Sequence, residues 1–165
     1  MRTRLLTILL LAMIPLAALS AQDFPSGAVI DYMDDPYEVF ILDGSGNDTG
    51  ELPYVGMVVE EGYTVKSGNS TVEIYLDPNG SILKMSANSS LRVDAFQNSA
   101  QTSNEFTLAG KLRAVAAKAT GNTANQYNFY NQSTVAAVRG TDFVFDSNNG
   151  FLLGSGSVDL TNQIT

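Results

Sequence analysis

The chain has no cysteine, no histidine and no tryptophan. Those gaps remove disulfide frameworks, Cys/His zinc sites, cysteine nucleophiles and every mechanism that depends on a histidine base. Charge is also scarce, with 16% of residues charged against roughly 25% in ordinary soluble domains. Cations are scarcest, with 9 Lys and Arg against 17 Asp and Glu. An acidic chain of this kind is repelled by phosphate backbones, so nucleic-acid binding is not expected. What the sequence does have is apolar residues at 44% and a polar remainder rich in Asn, Ser, Thr and Gly. That is enough to build a core in one domain of 165 residues, and it favours turns and extended strands over surface helices.

Arg2 and Arg4 precede an apolar run from Leu5 to Leu19, broken only by Thr7 and Pro15 and ending in Ala18-Leu19-Ser20. The pattern predicts a secretory signal peptide over residues 1–20, because the run is shorter than the roughly 20 apolar residues that span a bilayer. Cleavage after Ser20 removes 20 of the 165 residues together with Arg2 and Arg4, leaving 7 basic against 17 acidic residues, a net of −10. The expected product is a periplasmic or secreted protein of one domain, residues 21–165, with no lasting membrane insertion. Without disulfides in an oxidising compartment, packing and backbone pairing must stabilise it.

Period-two alternation recurs along that domain. Val72, Ile74 and Leu76 share one strand face, as do Leu83, Met85 and Ala87, and then Leu91, Val93 and Ala95. Asp77-Pro78-Asn79-Gly80 reads as the tight turn between the first two of these strands. Ala109 to Ala119 fits a helix as well as a strand, and the strand reading puts Leu112, Ala114 and Ala116 on one face. Polar stretches Gln97 to Glu105 and Thr120 to Gln126 read as loops. Further short strands follow at Phe129, Val135 to Val138, Phe143 to Phe145, Phe151 to Leu153 and Val158 to Leu160. The predicted fold class is all-β, with short strands in a solenoid-like β-roll or a β-sandwich.

Val135 to Phe145 carries the most distinctive residues. As one regular strand it would place Arg139 on the apolar parity of Val135, Thr141, Phe143 and Phe145, where an unpaired guanidinium costs several kcal/mol. A bulge or corner at Gly140 would flip the parity and turn Arg139 outward. The structural reading makes Arg-Gly-Thr a corner, with Arg139 capping carbonyls or pairing with a carboxylate; the functional one has Arg139 contacting a partner.

Arg139-Gly140-Thr141-Asp142-Phe143 resembles the hallmark end of the FecR domain. Gly62-Tyr63-Thr64-Val65-Lys66-Ser67-Gly68 resembles that family's opening motif, with Tyr63 where Asp is usual and Ser67 where Thr is usual, and Asn79-Gly80-Ser81 through Leu91 is similar to its middle. The three motifs fall in the family order over residues 56–146. The resemblance implies an extracytoplasmic all-β domain, best known from sensors that relay an outer-membrane iron-siderophore signal to a sigma factor. Those sensors also carry a cytoplasmic helical segment, a membrane span and a further signalling module, none of which is read in this sequence. What the resemblance carries over is an exported, non-catalytic sensing or protein-interaction module whose partner is another envelope protein or a cell-surface polymer. The motif residues, as structural or partner contacts, are Gly62, Gly68, Gly80, Arg139, Gly140, Thr141 and Phe143.

No cofactor or metal is expected. Asp43 to Glu51 alternates oxygen side chains as a calcium loop does, but its sixth position is Asp48 and its twelfth is Tyr54, so it reads as a solvated acidic turn. Asp31, Asp34, Asp35 and Glu38 could hold a glycosidase-like carboxylate pair, and a solvated rim is the plainer reading. Among Tyr127, Phe129 and Tyr130, a candidate aromatic platform for an adhesin or carbohydrate-binding protein, only Tyr130 points away from the other two. Asn69, Asn88 and Asn131 each open an Asn-x-Ser/Thr triplet, read as turn chemistry.

Overall fold

The computed structural model describes residues 27–77, 80–96, 103–117, 126–148 and 150–162. The predicted signal peptide lies outside them, as do Pro78 and Asn79 of the predicted turn and most of both predicted polar loops. Twelve strands follow one another: β1 (Gly27–Met33), β2 (Val39–Leu42), β3 (Val58–Val59), β4 (Thr64–Ser67), β5 (Val72–Asp77), β6 (Ser81–Met85), β7 (Ser90–Ala95), β8 (Ser103–Ala109), β9 (Lys111–Val115), β10 (Gln126–Tyr130), β11 (Thr134–Asp146) and β12 (Gly150–Asn162). One 3-10 turn, Pro36–Glu38, precedes β2.

The all-β expectation holds. The strands run in the order β2-β4-β7-β8-β10-β11-β9-β6-β5-β1-β3, with β12 alongside β11, in one nearly closed barrel-like sheet. Among the described strand pairs only β8 and β10 run parallel, with Phe106 beside Phe129; every other pair is antiparallel.

The predicted faces are observed except at two ends: Ala87 lies in the turn after β6, and Ala95, past a register shift in β7, is only part-buried. Val72, Ile74 and Leu76 are fully buried, as are Leu83 and Met85, Leu91 and Val93, and Leu112 and Ala114. Ala109 to Ala119 contributes the strand β9, not a helix. Two boundaries move. Ser103 to Glu105 belong to β8 and not to the preceding loop. The four short strands predicted after Val135 are two long ones, β11 and β12, of 13 residues each, paired from Thr134 opposite Asn162 to Asp146 opposite Gly150.

β11 is the hinge of the architecture. Its first half pairs with β10 and its second half with β9, while β12 follows its whole length. An aromatic row crosses this junction inside the core. Phe106 stacks on Phe129 at 5.3 Å, Phe129 meets the edge of Phe143 at 5.3 Å, and Phe143 stacks on Phe151 at 4.8 Å. Each such pair adds about 0.5–1.5 kcal/mol beyond area burial. Tyr127 is also fully buried, and its hydroxyl lies 2.5 Å from Ser81 Oγ, which in turn accepts the Ala117 N–H. Burial pushes the Tyr127 phenol pKa up.

At one end of the sheet the turns stack. Gly68 N–H donates to the Glu38 carbonyl and Asn88 N–H to the Gly68 carbonyl, each at 2.7 Å. Ser89 Oγ accepts Lys111 N–H, and Ser147 N–H donates to the Gly110 carbonyl. Ser67 Oγ, buried between them, reaches the carbonyls of Ser86 and Ser89. Asn88 has a φ of 56°, the left-handed conformation that Asn adopts most readily after Gly.

Candidate functional site

The corner at Arg139 is a β-bulge. Val138 pairs with Val158 and Arg139 with Ser157, but the next paired residue is Asp142, opposite Ser155. Gly140 takes a φ of 54° there. The parity flips as a consequence: Ala136 and Val138 are buried before the bulge, and Thr141, Phe143 and Phe145 after it. Arg139 is thereby turned to the exposed face.

The corner is closed by Thr141. Its buried hydroxyl lies 2.7 Å from the Arg139 carbonyl and 2.9 Å from the Ser157 carbonyl, so a single proton serves two acceptors on two strands. The Thr141 carbonyl accepts the Ala116 N–H at 2.9 Å. β12 accommodates the bulge through Gly154 and Gly156. A Cβ at Gly154 would lie 2.9 Å from the Asp142 carbonyl oxygen, and one at Gly156 would lie 2.8 Å from Thr141 Oγ1.

Arg139 does not cap carbonyls or pair with a carboxylate here. Thr141 does the capping, and the nearest acid in sequence, Asp142, is held by Arg113 through Nε at 3.1 Å and Nη2 at 2.8 Å. That two-pronged contact holds the Asp142 carboxyl below the usual carboxylate range and raises the Arg113 guanidinium pKa. Among the described residues the Arg139 side chain has no ion pair and no hydrogen bond.

The other motif residues sit elsewhere. Gly62 makes a turn whose N–H reaches the Val93 carbonyl at 2.7 Å, and Gly80 makes the β5–β6 turn onto the Leu76 carbonyl at 2.9 Å. Gly68 belongs to the stacked turns, where a Cβ would collide with Glu38 Oε2. Phe143 is the centre of the aromatic row. The motif residues therefore form no single cleft. Arg139 lies eight positions along the chain from Ser147 at the stacked turns, about 25 Å at strand spacing.

Of the four acidic candidates, Asp31 is exposed without a side-chain bond among the described residues, and the other three are engaged by neighbouring groups. Asp34 accepts Thr71 N–H and Oγ1 and the Tyr32 hydroxyl, contacts that lower its pKa, the Thr71 hydroxyl most of all. Asp35 caps Tyr37 N–H, and Glu38 accepts Asn69 N–H. In the Asp43 loop one carboxylate oxygen accepts both Ser45 and Asn47 N–H, and the Asn47 bond leads in lowering the Asp43 pKa. These are the bonds of an Asx turn. Asn131 likewise accepts Ser133 and Thr134 N–H ahead of β11.

Besides Tyr32 on β1 and Val115 on β9, the exposed large apolar groups of the described residues fall in two places. Tyr37 is 75% exposed, and with Phe40 and Leu52 it lines an open depression of about 180 Å³; Tyr54 and Val55 lie just beyond in sequence. The second place is β12, where Leu152, Leu153 and Leu160 are exposed. Tyr130, the predicted surface aromatic, is only half-buried, and burial raises its pKa. Sequence reading missed the serine-lined turns and the part played by Gly154-Ser155-Gly156; a Gly-Ser-Gly triplet inside an otherwise strand-like run was the available signal.

A family described as FecR protein matches residues 63–155. The sequence matches no curated protein. Among solved structures, a Parabacteroides distasonis protein assigned as an anti-sigma factor is similar in fold, with a TM-score of 0.51 at 11% identity. The match covers 62% of this chain and 48% of that one, so the chain spans about half the length of its structural relative.

Proposed function

The chain belongs to the FecR family, and from that premise we propose that it is an exported, non-catalytic module of the cell envelope that acts in sensing or signalling by binding another protein. The observation that carries this reading is the rim at Tyr37, Phe40 and Leu52, where large apolar groups face solvent beside Asp48, whose carboxylate accepts Gly50 N–H, and Glu51. Such a surface offers apolar contact area to a partner. Export is supported by the basic pair Arg2 and Arg4 ahead of the Leu5 to Leu19 run. A regulatory role is supported by the family and by the anti-sigma assignment of the structural relative. The stacked turns at Gly68, Asn88 and Gly110 support a roll-like form for the folded body.

The test is cell fractionation of a C-terminally tagged protein, combined with a photo-crosslinking residue at Tyr37 or Tyr54. The expected result is a periplasmic or secreted species lacking its first 20 residues and crosslinked to one defined envelope protein. An uncleaved cytosolic species, or no protein adduct from either position, would sink the proposal. The exposed ring of Tyr37 favours one second reading, an adhesin or carbohydrate-binding protein, since aromatic faces also stack on sugars. That reading predicts binding to a purified surface glycan that Tyr37→Ala abolishes.

A further inference from the structure

β12 pairs with β11 along one edge and meets no strand along the other among the described residues. Natural edge strands are usually blunted by Lys, Pro or inward charge. β12 has no Lys, Arg or Pro in 13 residues, and its one charge is Asp159.

The register fixes its faces. Val158 lies opposite buried Val138, and Leu160 opposite buried Ala136, so both point to the core side, yet Leu160 is 55% exposed. Ser157 lies opposite Arg139 and Asp159 opposite Ala137, so both point outward with Arg139.

Read outward from Val158, the strand is complementary to itself. Gly156 and Ser157 precede it, and Asp159 and Leu160 follow. Antiparallel pairing with a second β12 centred on Val158 sets Leu160 of each copy opposite Gly156 of the other, and Asp159 opposite Ser157. Bulk meets space on both faces. It also sets the arriving Asp159 in one outward row with Ser157 and Arg139. Arg139 and the incoming acid are then two strand spacings apart, about 10 Å between backbones, across a small serine. Two copies of a chain with a net charge of −8 repel in general, and this register brings an unpaired acid to an unpaired cation twice.

We propose that β12 is a self-association edge: two copies pair their β12 strands antiparallel about Val158, with Arg139 of each facing Asp159 of the other. The proposal is independent of the Tyr37 rim and stands if that rim binds nothing.

Sedimentation of the purified protein across a concentration series tests it. The wild type should be a dimer that dissociates on dilution. Arg139→Asp and Asp159→Arg should each weaken the dimer by about tenfold or more, because each sets like charges opposite one another. Mixing the two variants should restore association, since both contacts of the mixed pair then match. The chain has no native cysteine, so Val158→Cys gives an independent reading: under oxidation it should yield a disulfide-linked dimer, while Leu152→Cys should not. A wild type that stays monomeric at all concentrations overturns the proposal. So does a dimer indifferent to both charge variants, or folded variants that fail to associate when mixed.

Discussion

Thr141 fills the space that a side chain on Gly156 would need. A Cβ built at Gly156 falls 2.8 Å from Thr141 Oγ1 and 3.0 Å from its Cα, and Gly156 has a φ of +100°. Conformation and contact therefore oppose any substitution. Gly156→Ala is expected to cost about 2–4 kcal/mol, as strain at a positive φ adds to overpacking. Thr141→Val keeps the shape but leaves the Arg139 and Ser157 carbonyls without the hydroxyl proton, at about 1–2 kcal/mol. Urea unfolding of both variants checks this, and Thr141→Ser should lie closer to wild type than Thr141→Val because it keeps the donor.

Glycines in the stacked turns should respond unequally. At Gly110 an added Cβ would lie 2.8 Å from Ser89 Cα, and φ is +93°. At Gly68 the collision is with the far end of the Glu38 side chain, and φ is not in the left-handed region. Gly110→Ala is therefore expected to destabilise by about 2 kcal/mol or more. Gly68→Ala should cost about 1 kcal/mol, largely by pushing the Glu38 carboxylate off Asn69 N–H. A double-mutant cycle with Glu38→Ala should show coupling at Gly68 and none at Gly110.

Acid should weaken the fold through specific carboxylates. Asp34 has a lowered pKa because it accepts from Thr71 and Tyr32. A carboxyl depressed on folding contributes stability above its unfolded value near 4, and that contribution is lost as pH falls through the folded value. Asp142, held by Arg113, has the same sign. Urea midpoints measured from pH 6 downward should fall for the wild type. They should fall less steeply for Asp34→Asn, with the two curves converging at the acid end. Parallel curves would show that Asp34 does not carry the dependence.

How legible all this was depended on the range of each interaction. Strand faces at Val72 to Leu76 and Leu112 to Ala116 were readable because alternation is local and one face is buried. The bulge was readable because Arg139 could not share a face with Phe143 and Phe145. The lengths of β11 and β12 were not, since Gly140, Gly154 and Gly156 look like strand breaks until they are seen facing one another. The stacked turns were invisible because Glu38, Gly68, Asn88 and Gly110 lie twenty or more residues apart in the chain. The capping by Thr141 was hidden for a related reason. A charged residue drew the role that its neutral neighbour holds.

Phe143 joins the two halves of the sheet, and its loss should show it. Its ring meets Phe129 from β10 and Phe151 from β12, and its backbone pairs with Ala114 in β9. Truncation to Ala would remove both ring contacts and leave a cavity where the two halves of β11 diverge, at about 3–5 kcal/mol. Phe151, only half-buried on the edge strand, should cost less when truncated. Because Phe129 also stacks on Phe106, the pair Phe129 and Phe143 should be non-additive while Phe143 and Val72 should add. Thermal unfolding of the four single variants to Ala and the two double variants decides it. Equal costs for Phe143→Ala and Phe151→Ala would show that the junction is held by backbone pairing alone and not by the aromatic row.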